Sequence, residues 1–186
     1  MTPRDLIREI LTQIGENPDR EGLLGTPDRV SKMWDYIFRG YNTNPPFITK
    51  FRNGKDGITI DELIIDGGYF FSLCEHHMIP FFGNYYFGYI PGPYIIGASK
   101  IARTVDYFSA KLQVAERLVT QVVDFIQEEI SPKGQILIMS ARHLCKEMRG
   151  VQKVNSPFEV IAARGVFKDN TNGCKDEFLA RIRKGF

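Results

Sequence analysis

The chain has 186 residues, 43% hydrophobic and 25% charged, with 24 basic against 22 acidic side chains and a net charge of +2. That balance excludes nucleic-acid binding by bulk electrostatics, and the apolar fraction is enough for a core without disulfide staples. The N-terminus lacks a signal-peptide core and no apolar run approaches membrane-spanning length, so the sequence reads as cytoplasmic, with no membrane partner. The odd count of three cysteines fits a reducing compartment, where thiols serve as ligands or bystanders.

In chain order, residues 2–15 read as a helix: Thr2 caps it, Pro3 takes the first position, Leu6, Ile10, Leu11 and Ile14 form a stripe, and Gly15 ends it. Thr26 and Pro27 repeat the start for a second helix with Val30, Met33, Trp34, Ile37 and Phe38 on its apolar face. Arg29 and Lys32 share an adjoining face of that helix; spacing alone makes them solvated charges. Residues 43–60 read as a loop rich in Pro, Asn and Gly.

From Ile64 the chain becomes β-branched and aromatic. Residues 63–74 and 83–97 read as strands, with 78–83 as the return and Pro80 at the bend. Residues 99–130 read as two helices, the first capped by Ser99, separated near residues 110–116. Residues 135–145 and 158–167 read as two more strands, and a short amphipathic helix closes the chain from Cys174. Two antiparallel pairs flanking central helices make the class α+β. Residues 1–60 form a candidate N-terminal helical region and 61–186 the remaining domain.

Every histidine lies beside a cysteine. Cys74-x-x-His77 supplies two candidate metal donors; Cys145 supplies a third if the strand at 135–145 carries it on the face of His143. Two thiolates and an imidazole suit zinc. A fourth ligand from His76, His143 or Cys174 would make the site structural; an open place for water would make it catalytic. The two spare imidazoles suit proton transfer. Cys174 reads as a free surface thiol. Lys100 and Arg103, at a helix start, and Arg149 read singly as surface charges, although a helix N-terminus can hold an anion.

The segments "GENPDREGLLGTPDRVSKMW", "SLCEHHMIPFFG", "GASKIARTVDYFSAKLQVAERL" and "ARHLCKEMRGVQKVNS" closely resemble those of GTP cyclohydrolase I, in order and over most of the chain. The resemblance implies the tunnelling fold, an antiparallel sheet backed by helices, assembled as a homo-oligomer, usually a decamer, with sites between subunits. It implies attack of water at C8 of GTP, release of formate and formation of 7,8-dihydroneopterin triphosphate, a precursor for folate, biopterin or deazaguanine synthesis. Cys74, His77 and Cys145 would hold Zn2+. His143 would exchange protons with the purine imidazole ring, His76 would assist, and Ser99 would take part in opening the ribose. Glu116 would grip the guanine edge, and Arg29, Lys32, Lys100, Arg103 and Arg149 the triphosphate. The chain departs from the family pattern in two places: Ala115 stands where glutamine is usual, and Pro157 and Phe158 stand where Ser or Thr is common. Ala115 motivates a variant acting on another guanine nucleotide such as dGTP; a non-catalytic zinc-stabilised nucleotide or pterin binder is the other alternative.

Overall fold

The computed structural model describes residues 1–185. Helix α1 (Pro3–Gln13) begins with the expected cap: Thr2 Oγ1 accepts from the Asp5 N–H, and the Asp5 carboxylate accepts from the Thr2 N–H at 2.7 Å. Gly15, at φ +91°, ends it. Helix α2 (Thr26–Ile37) starts one residue earlier than a Thr26 cap requires. Gly25 is its cap, and Thr26 Oγ1 instead accepts from Arg29 Nη2 at 2.9 Å. The apolar stripe of α1 is largely uncovered: Ile7 is buried, while Leu6, Ile10 and Ile14 are exposed.

The stretch 43–60 is not loop throughout. Strand β1 (Lys50–Arg52) pairs antiparallel with β4 (Tyr94–Ile96), tying the N-terminal region to the rest of the chain. The main sheet is one layer rather than two separate hairpins. Its order is β5-β2-β3-β6-β7, from β2 (Ile64–Cys74), β3 (Pro80–Ile90), β5 (Leu112–Gln113), β6 (Gly134–His143) and β7 (Phe158–Gly165). All pairs are antiparallel except β5 with β2. The central β3–β6 ladder joins the two pairs. Pro80 opens β3, where its missing N–H costs no ladder bond.

The period-2 alternation of β2, β3 and β6 sends Phe70, Phe81, Tyr85, Phe87, Leu137 and Met139 to one face. There helices α3 (Ser99–Ser109) and α4 (Ala115–Ile130) cover them with Ile101, Val105, Leu118, Val122 and Ile126. Ser99 is not the cap of α3. Ala98 already has helical angles, no side chain caps the helix, and the Lys100 N–H donates to Gly97 O in the preceding turn. On the other face, α6 (Cys174–Arg183) packs Phe178 against Ile136, Ile138 and Phe167. Cys174 is buried rather than a surface thiol, donating to Val166 O at 3.3 Å. The arrangement is the expected α+β one, an antiparallel sheet backed by helices.

Candidate active site and metal centre

Register brings four strand ends to one edge. Leu73 pairs with Pro80, Cys74 with Gln113, and Phe81 with His143. The segment joining β2 to β3 is tight: the Cys74 N–H donates to Ile79 O at 3.0 Å, and Cys74 O accepts from the Met78 N–H at 2.8 Å. Met78 adopts φ +53°, a left-handed conformation that a non-glycine side chain tolerates poorly. That turn keeps Cys74 and His77 side by side.

Cys145 arrives by a different route from the one expected. Strand β6 stops at His143, because β3 starts opposite and offers no partner beyond Phe81. The chain then makes the single helical turn α5 (Leu144–Glu147), and this turn, not strand alternation, carries Cys145 to Cys74. The donor atoms of Cys74, His77 and Cys145 all lie within 4.8 Å of one another. Burial pushes the Cys145 thiol pKa up, and the Cys74 sulfur beside it adds to the rise. A metal would displace that proton, since thiolate is the ligand form.

A cleft of about 240 Å³ opens beside this cluster, lined in part by His76, Ala115, Glu116, His143, Lys146 and Phe158. His143 stacks on Phe81 at 4.8 Å and meets the Phe158 ring edge-on at 5.6 Å. Its Nε2 is buried with no hydrogen-bond partner among the described residues. Burial lowers the His143 pKa, more than the nearby carboxylate of Glu116 raises it, so the neutral ring is favoured. His76 is exposed; its Nδ1 is 3.8 Å from Cys74 Sγ and its Nε2 is 3.9 Å from a Glu75 oxygen. Glu75 is ion-paired with Arg117 on α4, which also donates to Gln113 Oε1 at 3.0 Å, and this holds the carboxylate pKa down. Glu75 is therefore tied to α4 through Arg117 and not a free surface charge.

The remaining candidates do not line the cleft. Arg29 and Lys32 are on α2, and Ser99, Lys100 and Arg103 on the first turns of α3; none of them lines the cleft. Arg149, just past α5, does not line it either, but its charge lies close enough to act on the Cys145 thiol. Sequence reasoning missed the ring stack on His143 and the presence of Lys146. The phenylalanines give no local signal, Phe81 lying whole elements away in sequence and Phe158 beyond the segment that joins β6 to β7. Lys146 adjoins a candidate ligand, a signal that was there to read.

Strand ends, a soft donor triad and a histidine-lined cleft define an α+β protein with a candidate hydrolytic metal centre. The GTP cyclohydrolase I family model matches residues 4–183. GTP cyclohydrolase 1 of Leptospira biflexa is 44% identical over 183 residues, covering 97% of this chain and 98% of that protein. That of Deinococcus radiodurans is 43% identical over 182 residues, covering 96% and 82%, and that of Porphyromonas gingivalis 43% over 174, covering 94% and 89%. Among solved structures, an archaeosine synthase QueF-Like in the apo form aligns with 55% of this chain and 93% of that chain, at 15% identity and a TM-score of 0.46. The chain belongs to the GTP cyclohydrolase I family and is an enzyme of that family. Among the described residues no helix is long and apolar enough to cross a membrane.

Proposed function

We propose that the chain is a zinc-dependent GTP cyclohydrolase I that opens the guanine imidazole ring of GTP by water attack at C8. Formate leaves and 7,8-dihydroneopterin triphosphate forms. The observation that carries this reading is the convergence of the Cys74, His77 and Cys145 donor atoms within 4.8 Å, beside a cleft holding Glu116 and His143. Two thiolates and one imidazole fit zinc, and three protein ligands match the open catalytic pattern. Bound there, zinc would supply Lewis-acid activation of water at neutral pH.

The chain's own groups supply the rest. His143, with a neutral ring and an unpartnered Nε2, takes and returns protons at the purine imidazole ring. His76, beside the Cys74 sulfur, assists. Glu116 accepts from guanine N1–H and the exocyclic amine. Arg29, Lys32, Lys100, Arg103 and Arg149 hold the triphosphate, and Ser99 acts at the ribose.

Those last groups support assembly of a homo-oligomer, a decamer by resemblance. Ser99 starts the 11-residue helix whose far end, Ser109, accepts from Ser72 Oγ, and neither end of that helix lines the cleft. The two ends of the helix are roughly 15 Å apart, and a second copy would bring its own set to this cleft. Residues 1–60 then serve as a helical region carrying part of the phosphate site, and 61–186 as the tunnelling-fold catalytic domain. Three free cysteines suit a reducing cytoplasm.

Incubating the zinc-loaded protein with GTP tests the reading: formate and, after oxidation, a fluorescent pterin are expected. Absence of both with zinc verified overturns it. Ala115, 2% exposed, lines the cleft beside Glu116 and leaves room there, which favours a second reading with another guanine nucleotide such as dGTP. Side-by-side turnover decides, a clear GTP preference removing it.

A further inference from the structure

The cleft has one cation. Among the described residues that line it, Lys146 alone carries a positive side chain. It follows Cys145 on α5, and its ammonium is tethered to Ser156, donating to Oγ at 2.7 Å and to the carbonyl at 3.3 Å. An ammonium has three donors, so one is left for a ligand. The tether also restricts a side chain that is otherwise flexible and gives its charge a defined position. Glu116, which lines the same small space, is acceptor-only when ionised.

One wall therefore accepts hydrogen bonds and another donates them. Guanine matches this: N1–H and the exocyclic amine are donors, while O6 and N7 are adjacent acceptors. With Glu116 on the donor edge, the O6/N7 edge runs toward the imidazole half of the base. The metal-ligand triad and His143 belong to that half, and Lys146 shares a helical turn with Cys145. We propose that Lys146 is a specificity-determining residue that donates to the O6/N7 edge of the substrate guanine. Adenine, with an amine in place of O6, presents a donor to the ammonium and is rejected. The proposal rests on the reading of this cleft as a guanine-nucleotide site.

The test compares formate release from GTP and from 6-thio-GTP, which keeps N1–H, the amine and N7 but has a poor acceptor at C6. The unsubstituted chain is expected to prefer GTP by about tenfold in kcat/KM. Lys146→Met should raise KM for GTP about tenfold, change kcat much less, and bring the preference to near unity. Ser156→Ala, which keeps the ammonium and loosens it, should fall between. A lysine that merely pins the Ser156 segment would lower thermal stability and leave the substrate ratio unmoved. An unmoved ratio in Lys146→Met, or equal use of both nucleotides by the unsubstituted chain, overturns the assignment and leaves the parent reading standing. No formate from GTP in the zinc-loaded unsubstituted chain overturns both.

Discussion

At His143 the chain gives up hydration of a titratable ring for position. Stacking on Phe81 and the edge of Phe158 hold the imidazole, and its Nε2 is left without a partner among the described residues. On the proposed reading, a group held this way acts on substrate protons and not on the metal. His143→Ala should therefore keep its zinc, measured by metal analysis, and lose formate release by about 10²–10⁴-fold. Cys145→Ala should lose the zinc itself; a His143→Ala variant without metal would make the histidine a ligand. Away from the cleft, Asp66 is the second instructive residue. Tyr85 donates to its carboxylate at 3.1 Å, yet burial raises the Asp66 pKa above the ordinary 3.8. The folded chain then holds this proton more tightly than the unfolded chain. The associated stability is present below the ordinary value and is lost as pH rises through the folded pKa. Asp66→Asn keeps an acceptor for Tyr85 and removes that loss. Its melting temperature should gain on the parent between acidic and neutral pH; an identical pH dependence of the two proteins would count against the account.

At the scale of elements, α6 is held to the sheet chiefly by Phe178. Its ring is fully buried and lies where a Cβ on Gly88 would sit, 2.7 Å from the nearest ring carbon. Glycine at 88 thus lets an aromatic side chain from the C-terminal helix touch the strand. Phe178→Ala should cost about 3–5 kcal/mol in denaturant unfolding, with metal content unchanged because α6 packs on the face away from the α3–α4 layer. The same scale explains which elements were readable in the sequence. The Thr2 cap with Pro3 after it, the β-branched and aromatic run of β2 and the long stripes of α3 and α4 are local patterns, and the chain folds as they indicate. Strand β1 was not readable, since three residues carry no period, and it exists because Tyr94–Ile96 offers a partner. The end of β6 at His143 was not readable either, because it is set by where β3 begins.

For the molecule as a whole, none of the cations assigned to the triphosphate lines the cleft of its own chain. The apolar residues Leu6, Ile10 and Ile14 of α1 also remain exposed, more than a small helical pair needs. Both observations agree with sites completed by a second copy. The expected outcome is complementation: chains inactivated by His143→Ala, mixed and reassembled with chains inactivated by Arg103→Ala, should recover formate release. Each mixed interface can then combine one intact cleft with one intact cation set. No recovery from assemblies verified as mixed would mean that each chain works with its own residues.

The sequence by itself determined the α+β class, the helices and long strands, and the donor residues, because periodicity and side-chain chemistry are local properties of the chain. It left open how Cys145 meets Cys74, what surrounds His143, and which charges share the cleft. Those were decided by register: β2, β3 and β6 end together at one edge, and a single turn after His143 swings Cys145 and Lys146 into place. Contacts between residues far apart in sequence depend on which strands pair and where they stop, and no local pattern encodes that.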